Sequence, residues 1–391
     1  MFGAALWSSG FRPFFLLGAC YGPLALALNL AARAGHWPLG DAVLTLGHAH
    51  ELLYGFASAT VCGVLLTALP SWTGAAEVRG ARLATLAALW LLGRVAWWSA
   101  AWLPQALIMV FDCALIPVLC LLFWRSMAGA RQRLFWWTSP PLLALALGNF
   151  LVHAGLANGV LDEARFGLSL GLHALAFLYS LYGGLLTPAF TRNWLHARGE
   201  AAGAMWAPLE YATALAMLLF AAADLMHASA GWMLAACALT CALHGWRFAR
   251  WRGWRTAGEP LLWSLNLGYV LLIAAIAVRA ASALTPLVPP DAWIHVFSVG
   301  ALGLTMLGLM TRVVLRHTGR PMVAPPLMKL AYLMVFAATL ARLAFTVHHL
   351  NEGVLALSGL LWSLAFLLYL LCFAPMFWRP SLPRVAPTAP P

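Results

Sequence analysis

The sequence predicts an all-α, polytopic integral membrane protein with about twelve transmembrane helices. Three observations predict it. The 391 residues are 63% hydrophobic and only 9% charged, whereas a soluble domain carries roughly a quarter charged residues. The mean hydropathy is +0.84. Nearly uncharged runs recur from end to end, each long enough to cross a hydrocarbon core of about 30 Å as a helix. The runs are continuously apolar and do not alternate, which excludes a transmembrane β-barrel.

Breaking the chain at its polar, Pro and Gly clusters gives the elements in order. The first apolar run, from Phe14, reads as a spanning helix and not a cleaved signal, because no small-residue cleavage site follows a short core. The spans are 12–33, 44–69, 82–103, 105–124, 134–156, 165–190, 205–226, 229–247, 260–283, 292–314, 327–347 and 354–378. They form a single transmembrane domain, 1–378. The tail 379–391, "RPSLPRVAPTAPP", is Pro-rich and is expected to be disordered.

The loops set the orientation. Arg79 and Arg82, Arg125, Arg131 and Arg133, Arg192 and Arg198, Arg247 to Arg255, and Arg316, Arg320 and Lys329 follow the even-numbered spans. Asp41, Asp162, Glu163, Asp224 and Asp291 lie on the opposite side. The bias predicts cytoplasmic N- and C-termini. It also accounts for the net charge of +11, which is therefore no sign of nucleic acid. The seven cysteines lack metal-finger spacing, and no C-x-x-C-H is present, so covalently attached haem is excluded. Cys237 and Cys241, one turn apart, read as packing.

This topology brings several histidines to the outer third of the membrane. His48 and His50 open span two, in "LGHAHELLYGF", with Glu51 beside them. His153 closes span five, His295 opens span ten, and His173 lies about two turns into span six. His348 and His349 follow span eleven. Neutral imidazole ligates haem iron and copper, and polar side chains at membrane depth are costly enough to suggest function. On a regular helix His48 and His50 point about 200° apart, so either the helix starts irregularly at Gly47 and both meet one metal, or they serve two different centres or partners. Glu51 shares the face of His48 and is placed to hold its ring N–H or to move protons.

Gly47, Glu51, Gly55, Ala59 and Gly63 form a small-residue stripe, read mainly as helix packing. Met306 and Met310 fall below His295 on one face, and are read as packing more than as Cu(I) ligands. Arg94 in span three and Asp112 in span four are expected to pair within a hairpin. Arg94, Arg279 and Arg342 are alternatively placed to bind haem propionates or an anion.

The motifs "GFRPFFLLGA", "HAHELLYGFA", "LLTALPSWTG", "LLGRVA", "GNFLVHAG", "GGLLTPAFTRNW" and "MTRVVLRHTGRPM" occur in that order. Together they resemble the NnrS family across nearly the whole chain. The resemblance implies twelve spans and a multi-pass protein of the bacterial inner membrane. It implies b-type haem and copper bound by histidine, and a part in nitric oxide metabolism and nitrosative stress. The matching positions are His48, His50, Glu51, His153, His295 and the "HTGR" of His317 to Arg320; His173 is supported by depth alone. Ser71 stands where the family has Asn, and Leu185 where it has Arg, which puts any role of those two positions in doubt.

Three functions are weighed. The first is a haem- and copper-containing protein that binds or handles nitric oxide. The second is a quinol-linked oxidoreductase of haem–copper type acting on nitric oxide or oxygen. The third is a transporter, although no repeat between the two halves is evident.

Overall fold

The structure, a computed structural model, describes residues 2–127 and 133–383. The loop residue Arg131 lies outside them, as does the tail from Arg384. Among the described residues there is no β-strand. The long helices are α1 Phe11–Arg33, α2 Asp41–Thr73, α3 Ala81–Trp98, α4 Gln105–Met127, α5 Ser139–Asn158, α6 Leu161–His196, α7 Ala207–Leu225, α8 Ala230–Trp251, α9 Pro260–Leu284, α10 Ala292–His317, α11 Pro326–His348 and α12 Glu352–Trp378. Ten are long and apolar enough to cross a membrane. The other two are more polar: α3 carries Arg82 and Arg94, and α8 carries His244, Arg247 and Arg250. The chain is thus a multi-pass membrane protein associated with the lipid bilayer. Leu30, Val95 and Leu371 stay exposed on these helices, as lipid contact requires.

Two compact units are distinguished. One comprises Met1–Leu172, Met310–Val323 and Phe366–Pro391, and the other His173–Leu309 and Ala324–Ala365.

Local chemistry sets the helix ends. Asp41 sits in the first turn of α2, where its charge meets the positive end of the helix dipole. The same helix stops at Gly74, with φ 74° in the left-handed region that a residue without a Cβ adopts freely. The third span ends earlier than its apolarity predicts, at Trp98. Helix α4 is interrupted at Ala114. Pro117 explains this, since it has no N–H for the Cys113 carbonyl and its ring crowds that oxygen.

Two helices contain a π-helical turn, Glu51–Ala57 in α2 and Val296–Leu302 in α10. Such turns carry one extra residue per hydrogen-bonded ring and shift the faces that follow.

In the first unit the glycine stripe of α2 receives α1. Gly47 faces Asn29, Gly55 faces the ring of Tyr21, and Gly63 faces Phe14 and Phe15. A Cβ at Gly55 would meet that ring and lie 3.3 Å from Arg94 Nη1. Gly55→Ala is therefore expected to cost about 1–3 kcal/mol through overpacking, read as earlier thermal unfolding in detergent. An unchanged midpoint would refute this packing.

The "GFRPFF" start and the "RHTGR" segment meet residues 376–382 within the same unit. Arg12 Nη1 donates to the carbonyls of Met376, Phe377 and Arg379 at 2.9, 3.0 and 2.8 Å. Ser381 Oγ donates to the His317 carbonyl, and Leu382 N to the Thr318 carbonyl, both at 2.9 Å. The ring of His317 lies 5.6 Å from that of Phe11. Residues 379–383 of the tail are thus held in place, and "HTGR" helps to hold them.

Candidate metal centre

Four helices of the first unit bring polar side chains to one dry point. Helix α2 supplies His50 and Glu51 at the junction with its π-helical turn. Helix α3 supplies Arg94 and Trp97, α4 supplies Gln105 and Asp112, and α5 supplies Asn149 and His153. The side chains of His50, Glu51, Asp112 and His153 have no exposed surface.

Asp112 is the hub. Its Oδ2 lies 3.1 Å from His50 Nε2 and 2.8 Å from His153 Nε2. One ligand atom from each of these three residues lies within 4.8 Å of the other two. The remaining nitrogens are also held. His50 Nδ1 contacts Glu51 Oε1 at 2.8 Å, and His153 Nδ1 contacts Gln105 Nε2 at 3.0 Å. Asn149 reaches both sides, with Oδ1 at 3.0 Å from His50 Nε2 and Nδ2 donating to Asp112 Oδ2 at 3.0 Å. The indole of Trp97 stacks on His50 at 3.7 Å and 10°, which locks the imidazole plane.

One buried cation serves both acids. Arg94 Nη1 donates to Glu51 Oε1 at 2.5 Å, and Nη2 to Asp112. Tyr21 donates to the second Glu51 oxygen and accepts from Trp98 Nε1 at 2.8 Å. Two carboxylates share one guanidinium, so Arg94 offsets one negative charge, and hydrogen bonds from Tyr21 and Asn149 help to hold the acids.

The family model named NnrS protein matches residues 5–381. The chain belongs to the NnrS family. No curated protein matched the chain.

Within this NnrS protein the predicted site residues separate. His50, His153, Glu51 and Arg94 come together. His48 is half-buried and is not among the three grouped ligands. Glu51 Oε1 holds the neighbouring His50 through Nδ1, at the residue where the π-helical turn begins. The Arg94–Asp112 pair forms as expected, and Asp112 also contacts His50 and His153.

The other predicted residues lie in the second unit. His173 Nε2 contacts Asp224 Oδ2 at 2.9 Å, and Arg279 Nε donates to Asp224 Oδ1 at 2.6 Å. His173 Nδ1 is buried and has no hydrogen-bond partner among the described residues. Arg342 donates to His295 Nε2 at 2.9 Å.

Sequence reasoning missed Asn149, Gln105 and Tyr21. Asn149 was the accessible one, since it precedes His153 by four residues on the same face of α5. It also missed His244 of α8. His244 Nδ1 contacts Tyr269 OH at 2.7 Å. Arg247, one turn on, pairs with Glu210 and donates to Tyr269 OH at 3.1 Å and the Ser180 carbonyl at 3.0 Å.

Proposed function

We propose that this NnrS protein binds a metal ion at His50, Asp112 and His153, holds b-type haem, and binds nitric oxide as part of the nitrosative stress response. The reading places it in the bacterial inner membrane with both termini cytoplasmic, as the arginine bias of the loops predicts.

One observation carries it: two buried imidazoles turn Nε2 toward one buried carboxylate oxygen, while Glu51 and Gln105 occupy their other nitrogens. Ligating histidines commonly donate the second N–H to an oxygen: Glu51 takes that of His50, and the Gln105 amide does the same for His153 with its oxygen, and not its nitrogen, turned to Nδ1. Binding an ion there requires neutral imidazoles and an ionised Asp112, and Arg94 favours that ionised carboxylate. Two nitrogens and one oxygen suit copper(II), and also ferrous iron. The family resemblance favours copper, and metal analysis decides between them.

The residues also fit a haem in part. His173 keeps Nδ1 buried and, among the described residues, unpaired while Asp224 holds its Nε2, the arrangement of an imidazole backed by a carboxylate. When bound, ferrous haem with an open axial position supplies a site for a diatomic ligand. The chain's own part is to orient the imidazole, through Asp224 and Arg279, and to keep water from it with Phe220 and Trp293, whose rings lie 5.4 and 5.1 Å away.

The test is an optical spectrum and metal analysis of the purified protein with and without nitric oxide. The expected result is a b-type Soret band that shifts with nitric oxide, and about one non-haem ion per chain. A stable, folded preparation free of both haem and metal would overturn the reading.

A further inference from the structure

We infer that the chain contains an internal repeat, α1–α3 and α9–α11, and that the second copy holds an anion site at His295 and Arg342. The repeat shows first in α2 and α10. Without a gap, His50, Gly55, Thr60, Gly63, Thr73 and Gly74 align with His295, Gly300, Thr305, Gly308, Thr318 and Gly319. The π-helical turn begins one residue after the histidine in each, at Glu51 and at Val296. Gly74 and Gly319 both close their helices with positive φ, 74° and 73°.

The flanking helices follow the same plan. Gly18 of α1 faces Thr60 Oγ1 and the Phe56 carbonyl, and Gly268 of α9 faces the aligned Thr305 Oγ1 and Ala301 carbonyl. Tyr21 meets Gly55, and Leu271, three residues after Gly268 as Tyr21 is after Gly18, meets Gly300. In the third helix, "LGRVA" around Arg94 aligns with "LARLA" around Arg342. The repeat joins spans one to three with spans nine to eleven, so a comparison of the two halves does not find it.

The copies keep the histidine and the arginine and differ in the acid. In the first, the Glu51 carboxylate lies between His50 Nδ1 and Arg94 Nη1. In the second, Val296 takes that place, and Leu271 replaces Tyr21. Arg342 then contacts His295 directly. No carboxylate lies within ion-pair distance of Arg342 among the described residues. Asp291 and Glu352 are the nearest acids and act only at longer range. A half-buried guanidinium on an apolar helix favours an anion. Because the first copy supplies a carboxylate at this position, the ligand class is a small carboxylate or a carboxylate borne by a larger ligand, such as a porphyrin propionate.

The test uses the purified full-length protein, titrated calorimetrically with sodium formate against a sodium chloride control. Val296→Glu is the decisive variant. It rebuilds the chemistry of the first copy, so it should fold as well as the parent while weakening formate by about tenfold or more. Arg342→Gln should do the same. If formate does not bind but both variants lose haem, the carboxylate is a propionate; that arm rests on the haem reading above. Formate binding and haem content both unchanged in Val296→Glu and Arg342→Gln would overturn the proposal. Metal content at the His50 centre, measured on the same samples, separates this failure from failure of the proposed function.

Discussion

Arg94→Met is expected to lower stability by about 3–5 kcal/mol, the cost of removing one partner from a buried ion cluster. Arg94 is the shared counter-ion of Glu51 and Asp112, whose side chains have no exposed surface. Without it, two carboxylates face each other across a dry space, and at least one must take up a proton. The measurement is the thermal midpoint of the detergent-solubilised protein. Arg165→Met is the control, because Arg165 pairs with Asp162 at the surface and such pairs contribute at most about 1 kcal/mol. Rescue makes the result specific. The triple variant Arg94→Met, Glu51→Gln, Asp112→Asn removes all three charges and should recover much of the loss. Equal effects of Arg94→Met and Arg165→Met would show that Arg94 is not the shared counter-ion of a buried cluster.

His50→Ala and His153→Ala should each empty the same metal site, while His48→Ala should leave it filled. The expectation rests on the meeting of His50 and His153 at Asp112 Oδ2 and on the place of His48 outside the group. Each alanine removes one of three ligands, so metal per chain should fall to background. Glu51→Gln and Gln105→Ala act on the orienting partners, and should weaken binding by about 10–100-fold. Elemental analysis after dialysis reads all five variants. Loss of the ion in His48→Ala, or loss of different ions in His50→Ala and His153→Ala, would break the assignment.

The candidate centre was partly legible. Depth and orientation marked His50 and His153 as residues of one level, and hairpin reasoning paired Arg94 with Asp112. The step from pair to centre was not available, because it needs α2, α4 and α5 to meet, and no local pattern encodes that meeting. The contact of Glu51 with His50 Nδ1 is likewise a matter of side-chain packing. The π-helical turn starting at Glu51 leaves no mark in the sequence pattern. The second π-helical turn, at Val296, was equally hidden, and with it the repeat.

Hydropathy and loop charge are properties of each segment taken by itself. The chain alone therefore determined a helical multi-pass membrane protein, the approximate ends of its spans, and its NnrS family. Which polar groups meet is a property of helices far apart in sequence. Only the tertiary structure decided that His50, Asp112 and His153 share one buried point, that two acids share Arg94 there, and that Arg342 meets His295 with no carboxylate in ion-pair distance among the described residues. The physical reason is burial: a charge inside an apolar bundle must find its partner across helices, and the identity of that partner is written in the packing.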